Sequence, residues 1–286
     1  MPTLTPICFA EAARQYLGWT RQEYDHPNTW RRIAVSFVSL TAHVGCRPVD
    51  SVTPADIEAF KAARRSAVKP VTIRHDLHAL SGFFRYALKA GWAAANPVRE
   101  VKIPSDRDAI RIHVLTRDEE QSYFQAAQSH PKLNALARLM LATGLRPSEV
   151  LALRRSDVDA EQHRIRIRRG KTAAARREVK LVGEAIGIVE SLCAARRSDD
   201  YLFPGLKPGS PATKLNGPHN RACKRAGVCF VLYDLRHTFA TRAASLGMPL
   251  TTLAAILGHN GLRCVMRYVH PGQSVMDEAM ERFATA

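Results

Sequence analysis

Five short segments of the chain carry side chains able to handle a phosphodiester. TGLRPSEVLAL (143–153) sets Arg146 in a tight turn between two apolar helical stretches. GKT sets Lys171 at the tip of an alternating segment, and YDLRHTFATR (233–242) sets Arg236 in the first turn of a helix. LGHN sets His259 just past a helix end, and MRYVH (266–270) brings Tyr268 nine residues later. Opening a phosphodiester without a metal needs a nucleophile, a cage for the charge on the non-bridging oxygens, and a proton for the departing oxygen. A guanidinium fork matches phosphate oxygens in pairs. A phenol can attack phosphorus and hold the bond energy in a covalent intermediate.

Taken singly, each segment has a plainer explanation. An Arg beside a helix-starting Pro often pairs with a carboxylate, and a Gly-Lys-Thr turn usually holds a solvated Lys; this one lacks the spacing of a phosphate-binding loop. A His after Leu-Gly is often a cap, and a lone Tyr is often a half-buried aromatic. Order and spacing change the weighing: 25 residues from Arg146 to Lys171, 65 to Arg236, 23 to His259 and 9 to Tyr268.

This set resembles the catalytic signature of the tyrosine recombinases, the phage-integrase family of DNA strand-exchange proteins. The resemblance implies that Arg146 and Arg236 hold the scissile phosphate and that Lys171 protonates the 5′ leaving oxygen. It implies that His259 donates a hydrogen bond to the phosphate and that Tyr268 becomes the 3′-phosphotyrosine. No metal ion or cofactor is expected. One position departs from the motif. Box II is usually His-x-x-Arg, and Tyr233 fills the histidine slot. A neutral phenol donates a hydrogen bond but does not take up a proton near neutral pH, as imidazole does. His237, one turn on, is read as a packing residue, which the family often carries there.

Charge supports a polyanionic partner. The 286 residues carry 42 Lys+Arg against 26 Asp+Glu, a formal net charge of +16, with Arg outnumbering Lys 32 to 10. Residues 1–105 hold 14 basic and 8 acidic groups, and residues 106–286 hold 28 and 18, so both halves are basic. That suits a protein gripping a duplex from two sides, with affinity falling by about 0.9 log unit per phosphate contact for each tenfold rise in salt. Expected DNA contacts are Arg164, Arg166, Arg168 and Arg169 on the basic segment, and Lys214, Arg221, Lys224 and Arg225 further on. Arg31–Arg32 and Arg64–Arg65 read as phosphate contacts or solvated surface. No run of about 18 apolar residues spans a bilayer, and no secretory leader is expected. The six scattered Cys, without a C-x-x-C pair, read as reduced thiols. The expected location is cytoplasmic, on the nucleoid.

The elements that must position these residues follow from periodicity. Apolar spacing of three and four predicts helices over Cys8–Tyr24, Trp30–Val44, Asp56–Arg65 and Val71–Ala90. Residues 96–113, with two prolines, many charges and no period, read as a linker. Helices are then expected from Thr116, over Leu133–Thr143, from Pro147 to about Leu153, and over Gly183–Ala195, Leu215–Ala226, Asp234–Leu246, Thr251–Leu257 and Leu262–Val269. Asp234 is taken as an N-cap. Strict alternation in HRIRIRR (163–169) and REVKL (177–181) predicts a β-hairpin with a basic face.

The fold class is therefore mainly α with a small antiparallel β-sheet (α+β). Residues 1–103 are expected to form a helical bundle, which the resemblance makes a core-binding, SAM-like DNA-binding domain. Residues 112–286 are expected to form the catalytic domain. The partner implied is double-stranded DNA with a specific recombination site, bound by a homotetramer; a tail helix with Met276, Ala279, Met280 and Phe283 on one face is expected to dock on a neighbour. No membrane partner is expected. Two alternatives on the same scaffold stay open: a type IB topoisomerase-like nicking-closing enzyme, and a weak or inactive DNA-binding protein. An RNA-binding module finds no aromatic or Gly-rich support.

Overall fold

In the computed structural model the chain packs as two compact units, Met1–Arg111 and Ile112–Ala286. The structure describes residues 4–105, 112–168, 176–194, 196–268, 280–281 and 284. Lys171, Arg169 and most of the expected tail helix, with Met276, Ala279 and Phe283, lie outside the described residues.

The first unit holds four helices: α1 (Phe9–Glu23), α2 (Pro27–Val44), α3 (Pro54–Arg65) and α4 (Pro70–Lys89). Proline opens three of them, where its missing N–H costs nothing and its fixed φ already suits the helix. Thr53 caps α3 in a reciprocal box with Asp56, which also takes a two-pronged bond from Arg47 at 2.7 and 2.9 Å. The apolar stripe on α4 delivers Ile73, Leu77, Leu80, Phe83 and Phe84 to a core shared with Phe9, Tyr16 and Phe37. Phe83 lies edge-on to Phe9 and Phe37, with ring centroids 5.0 and 5.6 Å apart. Arg64 is no solvated surface residue: it bonds the buried Asp76 at 3.0 Å.

The start of the expected linker is not loose chain. Residues 97–100 form a 3-10 turn, Val98 and Val101 are buried in the first core, and the Lys61 ammonium donates to the Lys102 carbonyl at 2.8 Å. Two valines three apart were enough to fold this charged, proline-bearing stretch onto the bundle.

The second unit runs α5 (Arg117–Ala127), α6 (Pro131–Thr143), α7 (Pro147–Leu151), β1 (Val158–Asp159), β2 (Arg164–Ile167), β3 (Arg177–Lys180), α8 (Glu184–Ala194), α9 (Asn216–Ala226), α10 (Leu232–Ser245) and α11 (Leu250–Leu257). The strands form one antiparallel sheet in the order β1-β2-β3, with Ile165 opposite Val179 and Ile167 opposite Arg177. The two-residue β1 is too short for alternation to reveal it.

α10 is the central element. Leu232 and every residue from Asp234 to Thr238 are buried, polar and apolar alike, so the helix is enclosed nearly all round. Asp234 is not its N-cap. Val231 occupies that position, and the Asp234 carboxylate reaches back from the third helical residue to accept from the Val231 N–H at 2.8 Å. The expected helix 262–269 is replaced by two 3-10 turns, Leu262–Cys264 and Met266–Tyr268. Val265, between the two turns, and Tyr268, at the end of the second, are buried and pack on Ala240, Ala243, Leu253 and Leu257. Gly261 leads in with extended backbone, and the tighter 3-10 spacing sends both side chains into that core.

Candidate active site

Arg146 is the N-cap of α7, and Glu149 is the third residue of that helix. The Glu149 carboxylate accepts from the Arg146 backbone N–H at 3.0 Å and from its guanidinium at 2.6 Å. Glu149 is itself buried and shared. Arg177, on the inward face of β3, donates to both of its oxygens at 3.3 and 3.0 Å. The Arg236 guanidinium lies 4.0 Å away. Burial pushes the Glu149 carboxyl up, but Arg177 and Arg146 outweigh it and hold it below the usual carboxylate range. One carboxylate thus keeps three cations together.

Arg236 is 0% exposed. Its guanidinium donates to the Gly144 carbonyl at 2.8 Å, to the Leu257 carbonyl at 2.7 Å and to His259 Nε2 at 2.9 Å. Those carbonyls end α6 and α11, where backbone acceptors lack helical partners. Burial pulls the guanidinium down to about 10, so it stays charged at neutral pH. Gly144 lets this happen. It sits at φ +66°, and a Cβ there would lie 2.4 Å from the Phe239 ring and 2.9 Å from Leu257.

His259 follows Gly258, the left-handed C-cap of α11. Burial and then the charges of Arg236 and Arg146 push its imidazole down to about 4. It is neutral near pH 7, and with Nε2 accepting from Arg236 its proton sits on Nδ1. That Nδ1 and the Arg236 Nε are buried polar atoms without a hydrogen-bond partner among the described residues. Two donors of one cluster are left with bonds to give, which suits an anion.

Tyr268 is 4% exposed, and its hydroxyl meets His237 Nδ1 at 2.9 Å. Burial raises the phenol above its ordinary value, and the Arg236 charge opposes that rise. Tyr233 packs edge-on to His237 with centroids 5.0 Å apart. Its hydroxyl also lies against the Arg146 guanidinium; burial lowers that group, and Glu149 and Tyr233 more than restore it.

The described residues that match the sequence signature, Arg146, Arg236, His259 and Tyr268, therefore share one cluster with a buried acid at its centre. The family model described as "Phage integrase family" matches residues 113–274. The chain belongs to the phage integrase family. It is a tyrosine recombinase, one of the DNA strand transferases. It is 29% identical over 221 residues to the tyrosine recombinase XerD of Pseudomonas aeruginosa, covering 72% of this chain and 73% of that one. It is 25% identical over 283 residues to a tyrosine recombinase of Thermosipho africanus, covering 95% and 98%. Its fold is that of the Tn1549 transposon integrase, solved in complex with a circular intermediate DNA, at a TM-score of 0.79 and 22% identity over 97% of this chain and 99% of that one. A lambda integrase dimer bound to a core site gives a TM-score of 0.77 at 18% identity, covering 92% and 95%.

Within this recombinase, Arg146, Arg236, His259, Tyr268 and Tyr233 come together, and Arg177 of the hairpin joins them through Glu149. Arg164 is half-buried on β2. Arg166 pairs with Glu178 at 2.8 Å and Arg168 with Asp157 at 2.5 Å, so both are partly neutralised. Lys214, Arg221 and Lys224 are exposed. Arg225 is bound to α5, donating to the Ala126 carbonyl at 3.0 Å and the Ser129 hydroxyl at 2.7 Å, so it pins one helix to another. Two residues of the cluster, Glu149 and Arg177, escaped the sequence reading, and His237 was read there as a packing residue. Arg177 was readable from alternation, since it shares a strand face with Val179 and Leu181 and so points inward.

Proposed function

We propose that this recombinase cuts DNA at a specific recombination site through a 3′-phosphotyrosine at Tyr268, with Arg146, Arg236 and His259 holding the scissile phosphate and Lys171 serving the leaving oxygen. The phenolic oxygen bonds to phosphorus, the P–O5′ bond breaks, the phenol loses its proton and the 5′ oxygen gains one. Rejoining reverses these changes with no outside energy, because the phosphodiester energy stays in the tyrosyl bond. The observation that carries the reading is the cluster itself. A buried, charged Arg236 bonded to His259 at 2.9 Å acts electrostatically on the Tyr268 hydroxyl, and the Arg236 Nε and His259 Nδ1 are poised to donate to a phosphate.

The helical first unit, with its basic balance, is assigned the role of a core-binding domain that grips the duplex, and Lys214, Arg221 and Lys224 that of phosphate contacts. A lambda integrase is described as a tetramer bound to a Holliday junction. On DNA this chain is assigned the same homotetrameric assembly, since exchange between two duplexes needs four cuts. Among the described residues no helix is long and apolar enough to cross a membrane; action on chromosomal DNA in the cytoplasm fits the reading.

The test is a suicide duplex nicked beside the cleavage site. The native chain should trap a covalent adduct, and Tyr268→Phe should trap none. An adduct with the phenylalanine variant refutes the assignment. No adduct with the native chain, despite site-specific binding, favours an inactive binder. Relaxation of any supercoiled plasmid without recombinant products favours a nicking-closing enzyme.

A further inference from the structure

The hydrogen bond between His237 and Tyr268 is not explained by packing. A phenol that attacks phosphorus must shed its proton, and the group bonded to that oxygen is best placed to take it. His237 Nδ1 lies 2.9 Å from the Tyr268 hydroxyl, inside the range for direct proton transfer. The histidine slot of box II holds a phenol instead, one helical turn earlier at Tyr233, which stacks its ring edge against His237. We propose that His237 is the general base of strand cleavage, accepting the Tyr268 proton on Nδ1 and returning it when the strand is rejoined. The proposal rests on Tyr268 being the nucleophile.

Among the described residues of the cluster, His259 and Glu149 are already committed. The Nε2 lone pair of His259 is used by Arg236. The Glu149 carboxylate is bound by Arg146 and Arg177 and is held ionised, which makes it a weak base. Among the described residues, the hydrogen bond of His237 goes to Tyr268 and to no cation. Burial disfavours its charged form, so at neutral pH it offers a lone pair. The charged and titratable groups around it are Asp234, Arg236 and Tyr233 on α10, and Arg267 and Tyr268 on the last 3-10 turn. Asp234 favours the imidazolium that forms, while Arg236 and Arg267 oppose it. Burial and the two arginines make the imidazolium costly, which favours return of the proton when the strand is rejoined.

In balance, the Oη–P bond forms as the P–O5′ bond breaks. The phenol proton moves to His237 Nδ1, and the 5′ oxygen takes a separate proton from the acid assigned to Lys171. Base and acid are distinct groups, so their losses are separable. A 5′-bridging phosphorothiolate leaves as a thiolate and needs no acid. It should rescue Lys171→Ala but not a His237 variant.

The experiment measures single-turnover cleavage of the nicked duplex across pH for the native chain and for His237→Asn, whose amide oxygen can accept the hydrogen bond but cannot keep the proton. His237→Gln serves as a second variant should the first fail to fold, and thermal melting and DNA retention report folding. Expected is a loss of about 100-fold or more in cleavage, disappearance of the acidic limb of the pH profile, and no phosphorothiolate rescue. A fluorinated tyrosine at 268, a more acidic phenol, should recover about tenfold or more of the loss. A folded, DNA-binding variant with native rate and native pH profile overturns the proposal. So does a loss that fluorotyrosine fails to recover, since a merely structural role is indifferent to phenol acidity. An adduct formed by Tyr268→Phe would instead overturn the assignment of the nucleophile.

Discussion

Replacing Glu149 with glutamine removes the one carboxylate shared by three guanidinium groups while keeping its shape. Its oxygens lie 2.6 Å from Arg146, 3.0 Å from Arg177 and 4.0 Å from Arg236. Unit charges 4 Å apart attract by about 4 kcal/mol at an effective dielectric of about 20. Arg146 is 28% exposed at the side chain and can turn to water; Arg177 at 8% and Arg236 at 0% cannot. The variant thus takes the shared negative charge away from two buried cations and turns an amide NH2 toward guanidinium donors. Breaking a buried pair in this way costs about 3–5 kcal/mol. For a urea slope of about 2 kcal/mol per molar, the unfolding midpoint of the second unit should fall by roughly 2 M with the slope unchanged. Acid should narrow the gap. A carboxyl held below its unfolded value contributes stability that is present above the unfolded range, near 4.3, and is lost as pH falls toward the folded value. Sulfate should restore the variant more than it stabilises the native chain, by supplying the missing anion. A midpoint within about 0.3 M of the native value, or equal responses to sulfate, would refute the shared-carboxylate account.

Three further outcomes follow from the same geometry. Gly144→Ala should cost roughly 2–4 kcal/mol from left-handed strain and overpacking against Phe239, and should displace the carbonyl that holds Arg236; an unchanged melting temperature would contradict it. His259 titrates at about 4 when folded and near 6.5 when unfolded, so the unfolded chain binds more protons between those values and stability falls as pH drops through that window. His259→Gln should flatten that part of a stability-against-pH curve, and an unaltered curve would show that another group sets the acid limb. Tyr233→His puts an imidazole beside Arg146 and should speed single-turnover cleavage, by a larger factor in a His237→Asn background. A rate unchanged or lower in both backgrounds would show that position 233 does not limit the reaction.

Helix positions in the first unit were legible because three- and four-residue spacing marks their buried face, although α2, α3 and α4 begin earlier than that spacing shows, at Pro27, Pro54 and Pro70. The alternation around Ile165 and Val179 marked the hairpin equally well. What failed depended on partners distant in sequence. Asp234 has the residue type of an N-cap, yet the helix begins earlier because Leu232 is buried. Residues 262–268 have helical spacing but curl into 3-10 turns to seat Val265 and Tyr268 on α10 and α11. Residues 97–101 have the composition of a linker, yet two valines find a core. In the site, the residue types and spacing singled out the arginines, His259 and Tyr268, which the fold brings together. They were silent on Glu149, whose importance arises only when Arg177 and Arg236 arrive from 28 and 87 positions away. His237 was undervalued because its neighbour Tyr268 comes from another segment 31 residues on.

Arg236 fastens the ends of α6 and α11 to α10, so it belongs to the architecture as much as to the reaction. A copy of this gene decaying after loss of strand exchange would lose the Tyr268 hydroxyl, by change to phenylalanine, long before Arg236, because the ring and the arginine are both still required to hold the domain together. An intact arginine in a diverged relative is therefore poor testimony to activity, while the fate of the tyrosine is informative. For the same reason, the proposed nucleophile is the better place for an inactive variant in binding or assembly work: Tyr268→Phe removes one oxygen and its bond to His237 and leaves Arg236 in place.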